Sequence, residues 1–169
     1  MTPITTIIGI DPGITGAFAA LDTTGNLVVE DLPVHGVRTS VGKARNELDL
    51  VGFASFITRI VPVIDHVYIE RVNAMPGQGV TSMFRFGYSA GAIHGVIAAL
   101  GLPVTFVPPA VWQRSQGVGS GPDAARQRVS QLYPQYAGEL SRKRDQHRAD
   151  AVLIARHGLG IVTRMATAA

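Results

Sequence analysis

The chain has 169 residues, 46% of them hydrophobic and 16% charged, with a net charge of +3; this is enough apolar material for a single domain with a buried core and too little charge for a disordered chain. The absence of cysteine excludes a disulfide framework and a thiolate metal site. Residues 76–148 hold eight Lys or Arg against three Asp or Glu, an excess of +5, which leaves seven against nine, or −2, elsewhere. Lys43 and Lys143 are the only lysines, so the basic region is almost entirely arginine, whose planar fork suits phosphate. An ordinary solvated surface would account for the same charge.

The opening segment MTPITTIIGID carries no basic stretch and only a short, β-branched apolar run, which argues against a secretory leader and for a cytosolic protein. Residues 5–10, 15–21 and 27–32 read as three consecutive strands, with turns at Asp11-Pro12-Gly13 and at residues 22–26. Residues 34–46 show no periodicity and read as a loop. Leu48, Val51, Phe53, Phe56, Ile57 and Ile60 then follow helical spacing up to Pro62. A fourth strand over residues 66–72 carries Glu70, a Pro/Gly loop follows over 73–79, and a helix over 82–100 leads into a fifth strand at 104–107, the order of a right-handed βαβ unit. The charge-free stretch 86–113 is divided by His94, Pro103, Pro108 and Pro109 into a helix too short to span a bilayer and a separate strand, so no membrane association is expected.

Beyond Pro109 the chain reads as helical at 110–115, 122–133 and 147–157, with a glycine loop at 117–121, Pro122 placed for a helix start, and a frayed tail after Gly160. Three meandering strands followed by alternating helices and strands predict an α/β fold: a mixed five-stranded sheet flanked by helices, the ribonuclease H-like arrangement, in one domain. Within the helix over 82–100, Gly87, Gly91 and Gly95 form a bare stripe, which implies close packing either on the sheet or against a second chain.

Three carboxylates stand out against these apolar stretches. Asp11 leaves the first strand in Ile7-Ile8-Gly9-Ile10-Asp11-Pro12-Gly13-Ile14-Thr15-Gly16, where the glycines leave room for a large ligand; the alternatives are an Asx-turn that starts a hairpin, or a phosphate-binding turn of a kinase-like ATPase. Glu70 follows Val67, Tyr68 and Ile69 in a central strand, where an unpaired carboxylate is costly and a salt bridge to Arg71 would be the structural explanation. Asp150 sits in His147-Arg148-Ala149-Asp150, and the i, i+3 spacing lets His147 and Asp150 address one ion, whereas Asp145 would diverge on a continuous helix. Three such carboxylates brought to one point would bind divalent cations, the chemistry of metal-dependent phosphodiester cleavage.

These residues resemble the RuvC-type Holliday junction resolvases, in particular the small bacteriophage members, over nearly the whole chain. The resemblance rests on IIGIDPGITG, YIERVNAMPGQGVTSMFRFG with the GxxxG helix after it, VPPAVWQ with its glycine loop, LYP and RADAVLIARHGL. It implies a homodimeric endonuclease that cuts symmetrically related strands of four-way and other branched DNA with two magnesium or manganese ions, held by Asp11, Glu70, His147 and Asp150. Asp11 would bridge the ions, Glu70 and Asp150 would each hold one, and His147 would complete a shell or manage a proton.

The chain departs from the bacterial pattern at two places. Asn73 stands where many cellular members carry an aromatic residue three positions after the glutamate, with Met75 as its substitute at the crossover. Trp112 stands where a lysine follows VPP, with Arg114 and Arg126 as basic substitutes, although a sole tryptophan also suits a core position. Arg85, Arg114, Arg126, Arg144 and Arg148 are the expected contacts to DNA phosphates, reading branch shape more than sequence. A non-catalytic binder of branched DNA is the competing reading.

Overall fold

The computed structural model describes residues 4–38, 42, 44–60, 64–73 and 77–168. Among the described residues seven strands and five helices follow one another as β1 (Thr6–Asp11), β2 (Ala17–Asp22), β3 (Leu27–Asp31), β4 (Val34–Arg38), β5 (Ala44–Leu48), α1 (Leu50–Ile60), β6 (His66–Glu70), α2 (Val80–Ala99), β7 (Val104–Val107), α3 (Pro109–Gln116), α4 (Ala124–Leu132) and α5 (Gln146–Ala168), with two 3₁₀ segments before α5. The main sheet runs β3-β2-β1-β6-β7. Its first three strands are antiparallel neighbours, whereas β1, β6 and β7 run parallel. This is the mixed five-stranded sheet that the sequence predicts.

Strand alternation sorts the side chains onto two helical layers. Ile8, Ile10, Phe18, Val67 and Ile69 pack against Phe53 and Ile57 of α1 and Ile93 and Ile97 of α2. On the opposite face Ile7, Ala19, Leu21 and Tyr68 meet Trp112 of α3, Val129 of α4 and the fully buried run 151–155 of α5. Gly9 makes this second layer tight: a Cβ there would fall 2.2 Å from Ala155 N and 2.3 Å from Ala151 O, so α5 lies directly on β1. Odd-numbered β1 residues face α5. Asp11 therefore points toward the start of that helix.

Three local expectations are corrected. Residues 34–46 are no plain loop, because Val34–Arg38 pairs antiparallel with Ala44–Leu48 in a separate hairpin whose exposed strands bury too little to show an apolar alternation. Helix α1 begins later than its apolar spacing suggests, since the Asp49 carboxylate accepts the Gly52 N–H at 2.8 Å and caps it; Pro62, its expected stop, lies outside the described residues. The tail does not fray after Gly160. Leu159, Ile161 and Val162 continue to pack against the core, and α5 runs to Ala168.

The stripe of Gly87, Gly91 and Gly95 faces away from the sheet, since a Cβ added at any of them meets nothing within 4 Å. Val80, Phe84 and Tyr88 flank it at 79%, 73% and 61% exposure. Packing on the sheet is thus not what the bare stripe serves. Among the described residues no helix is long and apolar enough to cross a membrane.

Candidate metal centre

Parallel pairing of β1 with β6 sets Ile10 beside Ile69, so the next residues, Asp11 and Glu70, leave adjacent strands on the α5 face. The N-terminal turn of α5 ends against them with His147 and Asp150 on one side of the helix. One ligand atom from each of Asp11, His147 and Asp150 lies within 4.8 Å of the others. Glu70 adjoins this trio closely enough to feel the charges of Asp11 and Asp150. All four residues selected from the sequence therefore converge at one end of the sheet.

Their hydrogen bonds fix distinct roles. His147 Nδ1 lies 2.6 Å from Asp11 Oδ2, while Nε2 lies 3.2 Å from the Thr15 hydroxyl. Trp112 Nε1 donates to Glu70 Oε2 at 3.2 Å, and Gln146 Nε2 donates to Asp150 Oδ1 at 3.1 Å. Arg71 does not neutralise Glu70: among the described residues Glu70 has no salt bridge, and the neighbouring arginine is exposed. Burial, then the Asp11 and Asp150 charges, push Glu70 up to about 7 against the downward pull of the Trp112 N–H and of His147. Burial, then Asp11, likewise raises Asp150 to about 7. His147 is raised above its ordinary value, chiefly by its hydrogen bond to Asp11 and against burial.

Carboxyl groups that hold protons to neutral pH beside one another form a site in need of positive charge. Carboxylate oxygens with one imidazole nitrogen fit a divalent cation. Asp145 stands apart. It is 2% exposed and accepts from Arg142 through N–H and guanidinium groups at 2.8–3.2 Å, and although burial pushes the other way, these bonds hold its carboxyl below the ordinary range.

No protein-family model matches the chain. A stretch of 101 residues, 59% of the chain, is 31% identical to the chloroplastic Holliday junction resolvase MOC1 of Chlamydomonas reinhardtii, and it spans 12% of that protein's length. The solved structure of T. thermophilus RuvC in complex with a Holliday junction substrate superposes with a TM-score of 0.58 at 16% identity, covering 95% of this chain and 96% of that one. The chain has the fold of RuvC. The fowlpox virus resolvase, solved with substrate Holliday junction DNA, also superposes, with a TM-score of 0.52 at 17% identity over 92% of this chain and 99% of that one. The agreement with RuvC thus extends over nearly the whole chain.

Around this centre the arginines expected to contact DNA divide. Arg85, Arg114 and Arg144 are exposed. Arg126 is instead committed to structure: it pairs with Asp123, donates to Ser141 O at 2.9 Å and keeps only 14% of its side chain exposed. Arg148 makes a two-point contact with Asp31 at 2.6 and 2.9 Å. Met75 lies outside the described residues. Sequence reasoning missed Thr15 and Gln146, although the i, i+4 spacing of Gln146 and Asp150 was visible. Trp112 is both a core residue, at 1% exposure, and the partner of Glu70.

Proposed function

We propose that this chain is a structure-selective DNA endonuclease that resolves four-way junctions, and related branched DNA, by hydrolysis assisted by two divalent ions. The convergence of Asp11, Glu70, His147 and Asp150 at the open end of a RuvC-type sheet carries this reading. Asp11, His147 and Asp150 would hold one ion, and Glu70 with Asp11 a second, magnesium or manganese. Bound ions of this kind polarise the phosphodiester and make water acidic enough to attack at neutral pH.

The remaining chemistry belongs to the side chains. Asp150 and Glu70 must release their protons before they can hold a cation, which links activity to pH near 7. Trp112 fixes one oxygen of Glu70 and leaves the other for an ion. With no ion bound, His147 keeps Asp11 oriented through Nδ1 while Nε2 lies beside the Thr15 hydroxyl, and as an ion ligand it would give up one of these two bonds. Arg85, Arg114 and Arg144 would neutralise backbone phosphates. A second copy seated on the bare face of α2, across Gly87, Gly91 and Gly95, would place two such centres on one junction for paired cuts. Incubating a labelled four-way junction with magnesium, manganese or chelator tests the reading, with incision expected in either metal and none in chelator.

A further inference from the structure

A second polar site lies at the other end of the sheet. The β2–β3 turn, the end of α3 and the second half of α5 border an open cavity of about 480 Å³, a volume suited to a small ligand, lined by Ser115, Gln116, Tyr133, Arg156, His157 and Arg164. Arg164 is fourteen residues beyond Asp150 on α5, roughly 21 Å along the helix axis, so this cavity is separate from the carboxylate centre.

Among the described residues neither of its two arginines forms a salt bridge. Arg156 Nη1 donates to the neutral Gln116 Oε1 at 2.5 Å. Arg164 folds back along α5 until Nη1 lies 3.4 Å from where a Cβ on Gly160 would stand, so the missing side chain makes room for the guanidinium. Among the described residues no carboxylate lies within 4.0 Å of either group. Asp22 lines the cavity too, but its oxygens are taken up by Thr24 N–H and hydroxyl at 2.8 and 2.6 Å and by Asn26 N–H and amide at 3.0 and 2.9 Å. His157 is 7% exposed with Ser115 Oγ 2.6 Å from its Nδ1, and burial and Arg164 together hold it below its ordinary pKa. Arg156 is half-buried and Arg164 exposed, so an anion entering the cavity meets two guanidinium groups that solvent reaches.

We propose that this cavity binds a phosphate group between Arg156 and Arg164, supplied either by a free phosphate or nucleotide or by the backbone of a DNA arm. The forked, always charged guanidinium is the side chain best matched to that anion. The site does not depend on the nuclease reading, since none of its residues belongs to the carboxylate centre.

The full chain and its Arg164→Gln and Gly160→Asp variants are titrated in chelator with inorganic phosphate and with deoxycytidine monophosphate, and by anisotropy with plain duplex DNA across a salt series. Arg164 bonds no other side chain among the described residues, so its replacement should leave the fold intact. Saturable binding of phosphate or nucleotide that weakens at least tenfold in both variants identifies a free-phosphate site. No such binding, but weaker duplex binding with the log–log salt slope reduced by about one, identifies a backbone contact. Equal behaviour of wild type and variants in all three titrations overturns the proposal.

Discussion

Replacing Asp150 with asparagine should stabilise the metal-free protein above neutral pH. The Asp150 carboxyl is raised from 3.8 to about 7, first by burial and then by Asp11. A folded-state value above the unfolded one means that the native state holds its proton longer; the stabilising contribution is complete below about pH 3.8 and is lost as pH rises through about 7. At about 1.4 kcal/mol for each tenfold change in proton affinity, the ionised side chain costs on the order of 4 kcal/mol at pH 8. Asparagine carries no charge and can still accept from Gln146. Urea denaturation in EDTA should therefore show the wild type losing stability from pH 5 to pH 8, and the Asp150→Asn protein exceeding it at pH 8 by about 1–4 kcal/mol. Added magnesium should raise the wild-type midpoint at pH 8 and leave the variant nearly unmoved. A flat wild-type profile, or a variant less stable than wild type at pH 8, would refute the reasoning.

Trp112→Phe removes the N–H that pulls Glu70 down, so the acidic limb of the incision pH profile should move upward and activity lost at pH 7 should return at pH 9; an unmoved limb would deny Trp112 this role. His147→Ala should lower incision by about 10²-fold or more, and His147→Asp should restore much of it with magnesium, because a hard oxygen replaces the imidazole. Asp145→Ala should instead lower stability, because the buried carboxylate that accepts from the Arg142 N–H and guanidinium is lost, while folded protein cuts normally; unimpaired cutting by His147→Ala beside an inactive Asp145→Ala would reverse the assignment. Gly91→Leu meets open space, so it should leave the melting temperature unchanged and reduce self-association in light scattering; lost stability with intact assembly would contradict the exposed-stripe reading.

The sheet was legible because β1, β2 and β6 are buried strands with a clear apolar signal, and the carboxylates that end β1 and β6 stand where the structure brings them together. His147 was legible through helical spacing to Asp150, which the start of α5 at Gln146 preserves. The hairpin Val34–Leu48 was not, because its strands pair with each other and bury almost nothing. The fate of the arginines was also hidden: exposed Arg114 and structural Arg126 look alike in sequence, and the carbonyls of Leu140 and Ser141, brought in by chain folding, join Asp123 in holding Arg126. For Trp112, core and site were alternatives in the sequence, but its ring packs inward while its N–H reaches Glu70, so the two readings hold together.

The central claim is tested most directly by single-turnover incision of a labelled four-way junction, with wild type and Asp11→Asn compared in magnesium, in manganese and in EDTA. The proposed centre predicts paired cuts by the wild type in either metal, none in EDTA, and junction binding without cutting by Asp11→Asn. Incision that persists in excess EDTA, or an Asp11→Asn protein that cuts at the wild-type rate, would contradict it.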